Sequence, residues 1–268
     1  MTVLASLFSA VALLAPAPQA ATLVAAGDIA SCRSTGDERT AALVARLPGT
    51  VATLGDAVYE YGTAAELAQC YSWARFRART RAALGNHEYG TGNADAALAY
   101  FRLPRRAYYT YRLGAWRVIV LNSNCRHAGG CEEGSPQERW LRGVLERRRE
   151  RCTLAYWHHP RWSSGLHGSD ATVAPLWRAL VRAGAEIVLA GHDHHYERFR
   201  PIDGIRSFVI GSGGRSLYPV FRRHPDSATL NFLTYGVLHL TLRTRDYDWR
   251  FVPVAGGRYA DRGSGRCR

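Results

Sequence analysis

Ile187-Val188-Leu189-Ala190-Gly191-His192-Asp193-His194-His195 is the stretch whose reading decides the fold. Four apolar residues behind Glu186 and ahead of a glycine predict a buried strand, so the histidines emerge at its C-terminal end. Open α/β sheets place their ligands at that edge. Alternate residues of extended chain point to one side, so His192 and His194 can face one site while Asp193 turns away. A lone His-x-His is also what a polar turn with solvated histidines looks like. The weight therefore falls on what the rest of the chain supplies.

Moving outward toward the N-terminus, Thr153 to Trp157 predicts a strand that delivers His158-His159-Pro160. Arg81 to Leu84 predicts one ended by Gly85-Asn86-His87-Glu88. Thr50 to Leu54 is ended by Gly55-Asp56, with Tyr59 three residues later, and Leu23 to Ala26 by Gly27-Asp28. Helices fall between the strands. One is capped by Thr35 with Glu38 three places on, a second runs from Ala64 to about Phe76, and a third opens at Ser135-Pro136-Gln137-Glu138. A fourth runs from Val173 to Ala183 and stops at Gly184. Tyr108 to Leu113 and Trp116 to Leu121 read as a hairpin around Gly114. Toward the C-terminus, Ser207 to Ile210, Val237 to Leu242 and Asp248 to Pro253 alternate, which predicts antiparallel strands closing a second sheet.

Five strand ends thus carry Asp28, Asp56 with Tyr59, Asn86-His87, His158, and His192 with His194. Parallel strands joined through helices bring their C-terminal ends to one edge, so these residues can converge. Each alone has a plainer explanation, as a turn or a packed aromatic; together they are a set of metal-ligand types. Three carboxylate or phenolate oxygens, one amide and three imidazoles exceed the four ligands of a zinc site. Two ions about 3.5 to 4 Å apart with a bridging carboxylate would use them all, and would clamp the attacking and leaving oxygens of an in-line displacement. Phosphoester hydrolysis is the matching reaction.

Gly27-Asp28, Gly55-Asp56-x-x-Tyr59, Gly85-Asn86-His87-Glu88, His158-x-Pro160 and Gly191-His192-x-His194 resemble the five sequence blocks of the calcineurin-like metallophosphoesterases, and Tyr59 resembles the purple acid phosphatase branch. The resemblance implies an α/β fold, a two-sheet β sandwich flanked by helices. It implies one metal on Asp28, Tyr59, His194 and bridging Asp56, and a second on Asp56, Asn86, His158 and His192. Iron is implied at the Tyr59 site, and Fe, Zn or Mn at the other. Where other branches place a histidine two residues after the first aspartate, this chain has Ala30, which fits a tyrosine-held iron. His87 and His167 resemble the catalytic histidines that contact substrate; His159 and His195 lack alternate-face support, and Glu88 either orients His87 or caps a turn. The expected activity is hydrolysis of small phosphate monoesters by attack of a metal-bound hydroxide, with a phosphodiesterase or nucleotide pyrophosphatase as the enzymatic alternative. A polyanion-binding protein on the same scaffold is the non-enzymatic one.

No linker, repeat or low-complexity tract divides the 268 residues, which predicts one domain over 22–268. Val3 to Ala15 is apolar and is followed by small residues, so residues 1–21 read as a signal peptide cleaved near Ala20 or Ala21, too short to span a bilayer. Six cysteines fit export to the cell envelope or beyond it. Cys125 and Cys131 are close enough to close a small loop; Cys32 with Cys70 and Cys152 with Cys267 are guesses from what remains, and the sequence does not fix the connectivity among fifteen possibilities. The formal charge is +13, and all 35 basic residues are arginine. Such a surface concentrates anionic substrates and holds nucleic acid without specificity. The oligomeric state stays open.

Overall fold

The computed structural model describes residues 20–268. The expected signal peptide therefore lies outside the described residues, save its last two positions, and Ala21 already opens the first strand. Two sheets form the centre. One has six strands in the spatial order Arg262–Arg266, Asp246–Pro253, Gly236–Leu242, Ala21–Ala26, Thr50–Leu54 and Thr80–Ala83. The other has seven, ordered Ser227–Asn231, Tyr196–Phe199, Arg206–Ile210, Ile187–Ala190, Cys152–Tyr156, Trp116–Val120 and Tyr109–Leu113.

A single buried cluster unites the facing sides of both sheets, with Leu23, Ala52 and Leu240 from one and Val118, Leu154, Leu189 and Phe208 from the other. The helices Pro136–Glu146 and Ala174–Arg182 cover the outer side of the second sheet, where Leu141, Leu176, Trp177 and Leu180 pack on Ile119, Ala155 and Val188. The helix Gly36–Val44 packs through Ala41 and Val44 on the first. The layering is helix, sheet, sheet, helix, and the apolar area removed from water there is the main favourable term holding it. Trp116 ties the layers: its ring meets Tyr247 edge-on at 5.6 Å and its Nε1–H donates to Arg243 O at 2.7 Å. Disulfides join Cys32 to Cys70, Cys125 to Cys131 and Cys152 to Cys267.

Three local expectations need correction. The alternating C-terminal segments do not close one sheet. Arg206–Ile210 pairs parallel to Ile187–Ala190 in the second, whereas Gly236–Leu242 extends the first antiparallel to Ala21–Ala26, and Asp246–Pro253 pairs antiparallel to Gly236–Leu242. A period of two reports which faces are buried, not which strand becomes the neighbour. The helix expected over 64–76 stops at Gln69, and Ser72–Arg79 is a 3₁₀ segment that keeps Trp73 and Phe76 buried three positions apart. Thr35 occupies its cap position without a side-chain hydrogen bond.

Candidate metal centre

The C-terminal edges of the two sheets meet through main-chain bonds: Gly27 N–H donates to Ile210 O, Gly213 N–H to Gly27 O and Arg215 N–H to Asp28 O. Here the chain reverses sharply after each strand. Asp28, Asp56 and His192 have φ of 59°, 50° and 71°, a left-handed conformation that non-glycine residues adopt at a cost. The preceding glycines have a separate reason. A Cβ on Gly191 would come 2.7 Å from Asp28 Oδ2, and one on Gly85 2.1 Å from Asp56 Oδ1, so the space a side chain would need holds a carboxylate.

Two clusters of heteroatoms result. The Tyr59 hydroxyl lies 2.8 Å from Asp28 Oδ1, 2.9 Å from Asp56 Oδ2 and 3.1 Å from His194 Nε2. His158 Nε2 lies 3.2 Å from Asp56 Oδ2, 3.1 Å from Asn86 Oδ1 and 3.1 Å from His192 Nδ1. The outer nitrogen of His158 faces Leu54 O at 2.8 Å, a carbonyl that can only accept, so Nδ1 carries the hydrogen. The Tyr59 hydroxyl thus has one proton for the two carboxylate oxygens beside it, and with its hydrogen on Nδ1 a neutral His158 turns the Nε2 lone pair toward Asp56 Oδ2, Asn86 Oδ1 and His192 Nδ1. A cation in each cluster would satisfy these converging lone pairs at once, which is the test of fit for two metal ions, and Asp56 Oδ2 is common to both clusters. Ligand atoms of Asp28, Asp56 and His158 lie within 4.8 Å of one another, as do those of His158, His159 and His192.

The electrostatics carry the same strain. Asp28, Asp56, Tyr59, His158 and His194 are buried, and Asn86 and His192 are partly exposed. Burial and the Asp28 and Asp56 carboxylates push the Tyr59 phenol well above its ordinary range. Burial alone would pull the His158 imidazole down, but Asp56 overrides it and raises it to about 10. His192 is held far below its usual range by burial and by neighbouring His158, and His159 is pushed down to about 4 for the same reasons. Such displaced groups gathered in one cleft are the signature of a working site.

The structure brings all seven expected ligand residues together, and it adds supports that the sequence did not disclose. Glu88 does not orient His87: its carboxylate accepts from the N–H groups of Asp56 at 2.9 Å, Ala57 at 2.7 Å and Gly85 at 2.6 Å, and so fixes two ligand loops together. Asp193 turns away from the cluster as alternation requires and accepts from Ser163 and from His167 N–H at 2.9 Å. His194 Nδ1 meets Ser216 Oγ at 2.7 Å, its ring stacks on Tyr218 at 4.8 Å, and Arg215 lies over the Tyr59 ring at 5.2 Å while pairing with Glu60. These three residues follow Gly211-Ser212-Gly213-Gly214, a glycine run that was the available signal of close backbone approach. His159, which alternation had directed away, packs its ring 4.5 Å from His192 with Nδ1 2.8 Å from Ser123 Oγ. His195 is buried against Glu197 instead, at 3.1 Å.

The two expected substrate-contacting histidines flank the cluster. His87 Nδ1 meets Glu60 O at 2.6 Å, leaving Nε2 3.9 Å from Asp56 Oδ2. His167 is exposed, its ring 4.3 Å from that of His192.

Residues 4–196 match the family model described as calcineurin-like phosphoesterase. An uncharacterized protein of Mycobacterium tuberculosis is 30% identical over 195 residues, covering 63% of this chain and 35% of that protein. Tartrate-resistant acid phosphatase type 5 of Oryctolagus cuniculus is 26% identical over 154 residues, covering 48% of this chain and 47% of its own length. The chain thus spans between about a third and a half of these relatives. Among solved structures, purple acid phosphatase PPD1 from Lupinus luteus seeds superposes with a TM-score of 0.75 at 18% identity, covering 92% of this chain and 54% of that one. The structure titled "GAP50 the anchor in the inner membrane complex of Plasmodium" gives 0.73 at 14% identity, covering 93% and 90%. At these identities the structural likeness shows a shared fold, and the family match supplies the rest: the chain belongs to the calcineurin-like phosphoesterase family.

Proposed function

We propose that this chain is an exported dimetal phosphomonoesterase of purple acid phosphatase type. The observation that carries the proposal is the pair of clusters of oxygen and nitrogen ligand atoms joined at Asp56 Oδ2. Asp28, Tyr59, His194 and Asp56 would hold one ion, and Asp56, Asn86, His158 and His192 the other. The phenolate and carboxylates of the first set suit ferric iron, and the imidazoles and amide of the second suit Fe, Zn or Mn in the divalent state. When bound, two such ions lower the pKa of water and offset the charge of a phosphoryl group. The protein's own part is position and proton supply. His87, with Nδ1 on Glu60 O, would offer Nε2 to the phosphoryl oxygens, and His167, whose ring packs on His192, would give the leaving oxygen its proton. Glu88 keeps the two ligand loops in register. Three disulfides support an oxidising compartment, and among the described residues no helix is long and apolar enough to cross a membrane.

Metal analysis, a visible spectrum and turnover of chromogenic mono- and diesters on one purified sample test this. Two ions per chain, a visible band that vanishes in Tyr59→Phe, and faster monoester turnover are expected. Faster diester turnover would shift the substrate class to phosphodiesters. A metal-free, inactive protein that still retains polyanions through its charge of +13 would replace the enzyme with a binding protein.

A further inference from the structure

Arg215 stands against the Tyr59 half of the centre and belongs to neither ligand set. Three contacts tie it there. Its main-chain N–H donates to Asp28 O at 3.0 Å, its Cζ lies 5.2 Å from the centroid of the Tyr59 ring, and its guanidinium pairs with Glu60, whose carbonyl oxygen faces His87 Nδ1 at 2.6 Å.

The Tyr59 ring is 4% exposed, and its neighbours are few: the His87 ring at 4.1 Å, tilted by 44°, the His194 ring edge-on at 5.8 Å, and this guanidinium. Of the three, only Arg215 carries a permanent charge. A guanidinium within about 6 Å of a ring centroid is attracted to the π face, and the attraction grows as the cation loses water. Arg215 meets that condition, since its side chain is 26% exposed and its Nε is buried with no acceptor among the described residues. Glu60, at 39%, is the more exposed partner, so water screens its carboxylate more than it screens the guanidinium. A neutral phenol gains little from such a neighbour. A phenolate gains more, because its ring carries part of a negative charge.

We propose that Arg215 is a positioning residue that acts through Tyr59: it holds negative charge on the ring when the phenolate binds iron, and so limits how much of that charge the metal receives. The inference rests on the Tyr59-held iron proposed above. An ion that receives less charge from its ligand polarises a phosphoryl oxygen more strongly. The visible band reads the effect, because absorption there moves an electron from the phenolate ring to the iron. A cation over the ring makes that transfer costlier and sets the band at shorter wavelength.

The test compares the visible spectrum and metal content of the loaded wild type with three variants. In Arg215→Gln the amide still donates to Glu60 but the charge is gone, so the band should move to longer wavelength with two ions retained per chain. Arg215→Lys restores a cation and should bring the band back toward its wild-type position. Glu60→Gln removes the counter-charge and keeps the carbonyl that faces His87, so its band should move the opposite way, to shorter wavelength. An unmoved band in iron-loaded Arg215→Gln would overturn the inference, and so would equal shifts in the Gln and Lys variants, which would trace the effect to geometry rather than charge. Glu60→Gln keeps the question open to refutation even if an Arg215 variant fails to fold, since a shift to longer wavelength there, or none, would also overturn it. Shifts of the expected signs in a protein without turnover would support the inference and sink the phosphatase reading. An iron-loaded wild type with no visible band would instead remove Tyr59 from the ligand set and the inference with it.

Discussion

The Tyr59 half and the His158 half of the centre share one carboxylate oxygen and differ in nearly everything else. Around Tyr59 the donors are a phenol, two carboxylates and one imidazole. Around His158 they are two imidazoles, an amide and the shared carboxylate. The supports differ as well. His158 is fixed by a main-chain carbonyl, Leu54 O, and the His192 N–H donates to Asp28 Oδ2 at 2.8 Å. His194 instead leans on side chains, Ser216 and Tyr218, from a segment that follows the second-sheet strand Arg206–Ile210. Hard oxygen donors suit a hard, highly charged ion and imidazoles a borderline divalent one, so on the proposed reading the two halves would hold different metals. The asymmetry also predicts that the two halves can be damaged separately, except at their common atom.

That exception gives the largest expected effect. Asp56→Ala removes the oxygen that lies 2.9 Å from the Tyr59 hydroxyl and 3.2 Å from His158 Nε2. Both ions should be lost together and kcat/KM should fall by roughly a thousandfold or more, since the metals supply several kcal/mol of the catalysis. Elemental analysis decides the matter. One site filled to wild-type occupancy would mean that the halves are independent and that Asp56 is no bridge.

The same asymmetry explains what could be read from the sequence. Strand ends announce themselves as an apolar run, a glycine and a ligand-type residue, and Asp28, Asp56, Asn86 and His192 were legible for that reason. Tyr59 and His194 were legible by their spacing from them. Period-two reasoning stops where the strand stops, so the ring of His159, three residues beyond Tyr156, was misdirected. Glu88 accepts from N–H groups of Asp56 and Ala57 in a separate loop, and no local pattern encodes an acceptor for main-chain donors brought near only by folding. Ser216 and Tyr218 stand in no periodic pattern and at no strand end. Only the glycine run before them marked the approach. The sheet membership of the C-terminal strands was illegible for a related reason, because pairing partners are chosen by the whole sandwich.

A smaller effect is expected from a residue that belongs to neither ligand set. His167 is exposed and packs on His192 without entering either cluster. If it donates the proton to the leaving oxygen, His167→Ala should lower kcat by about a hundredfold with both ions retained. The loss should shrink for esters whose leaving group departs readily without a proton, such as nitrophenolate. A uniform loss across leaving groups would instead assign His167 to the packing of the loop, and wild-type rates would return it to a solvated surface histidine.

The smallest effect is the sharpest test of the comparison, because it addresses one half through a single outer contact. Ser216 Oγ lies 2.7 Å from His194 Nδ1, and that bond sets which way the ring offers Nε2 to the Tyr59 cluster. Loss of an outer partner of this kind costs about ten- to a hundredfold in metal affinity. In Ser216→Ala the ring keeps its stacking on Tyr218, so the lower end, about tenfold, is expected. The weakening should be confined to the ion that gives the visible band: under graded chelation the colour should fade earlier than in wild type, while the second ion leaves at its usual chelator concentration. The His158 half has no equivalent variant, because the group that holds its ring is the Leu54 carbonyl, which survives any side-chain substitution. If both ions in Ser216→Ala became labile together, the shared carboxylate would be setting the stability of the whole centre, and the distinction between the halves would be one of donor chemistry alone.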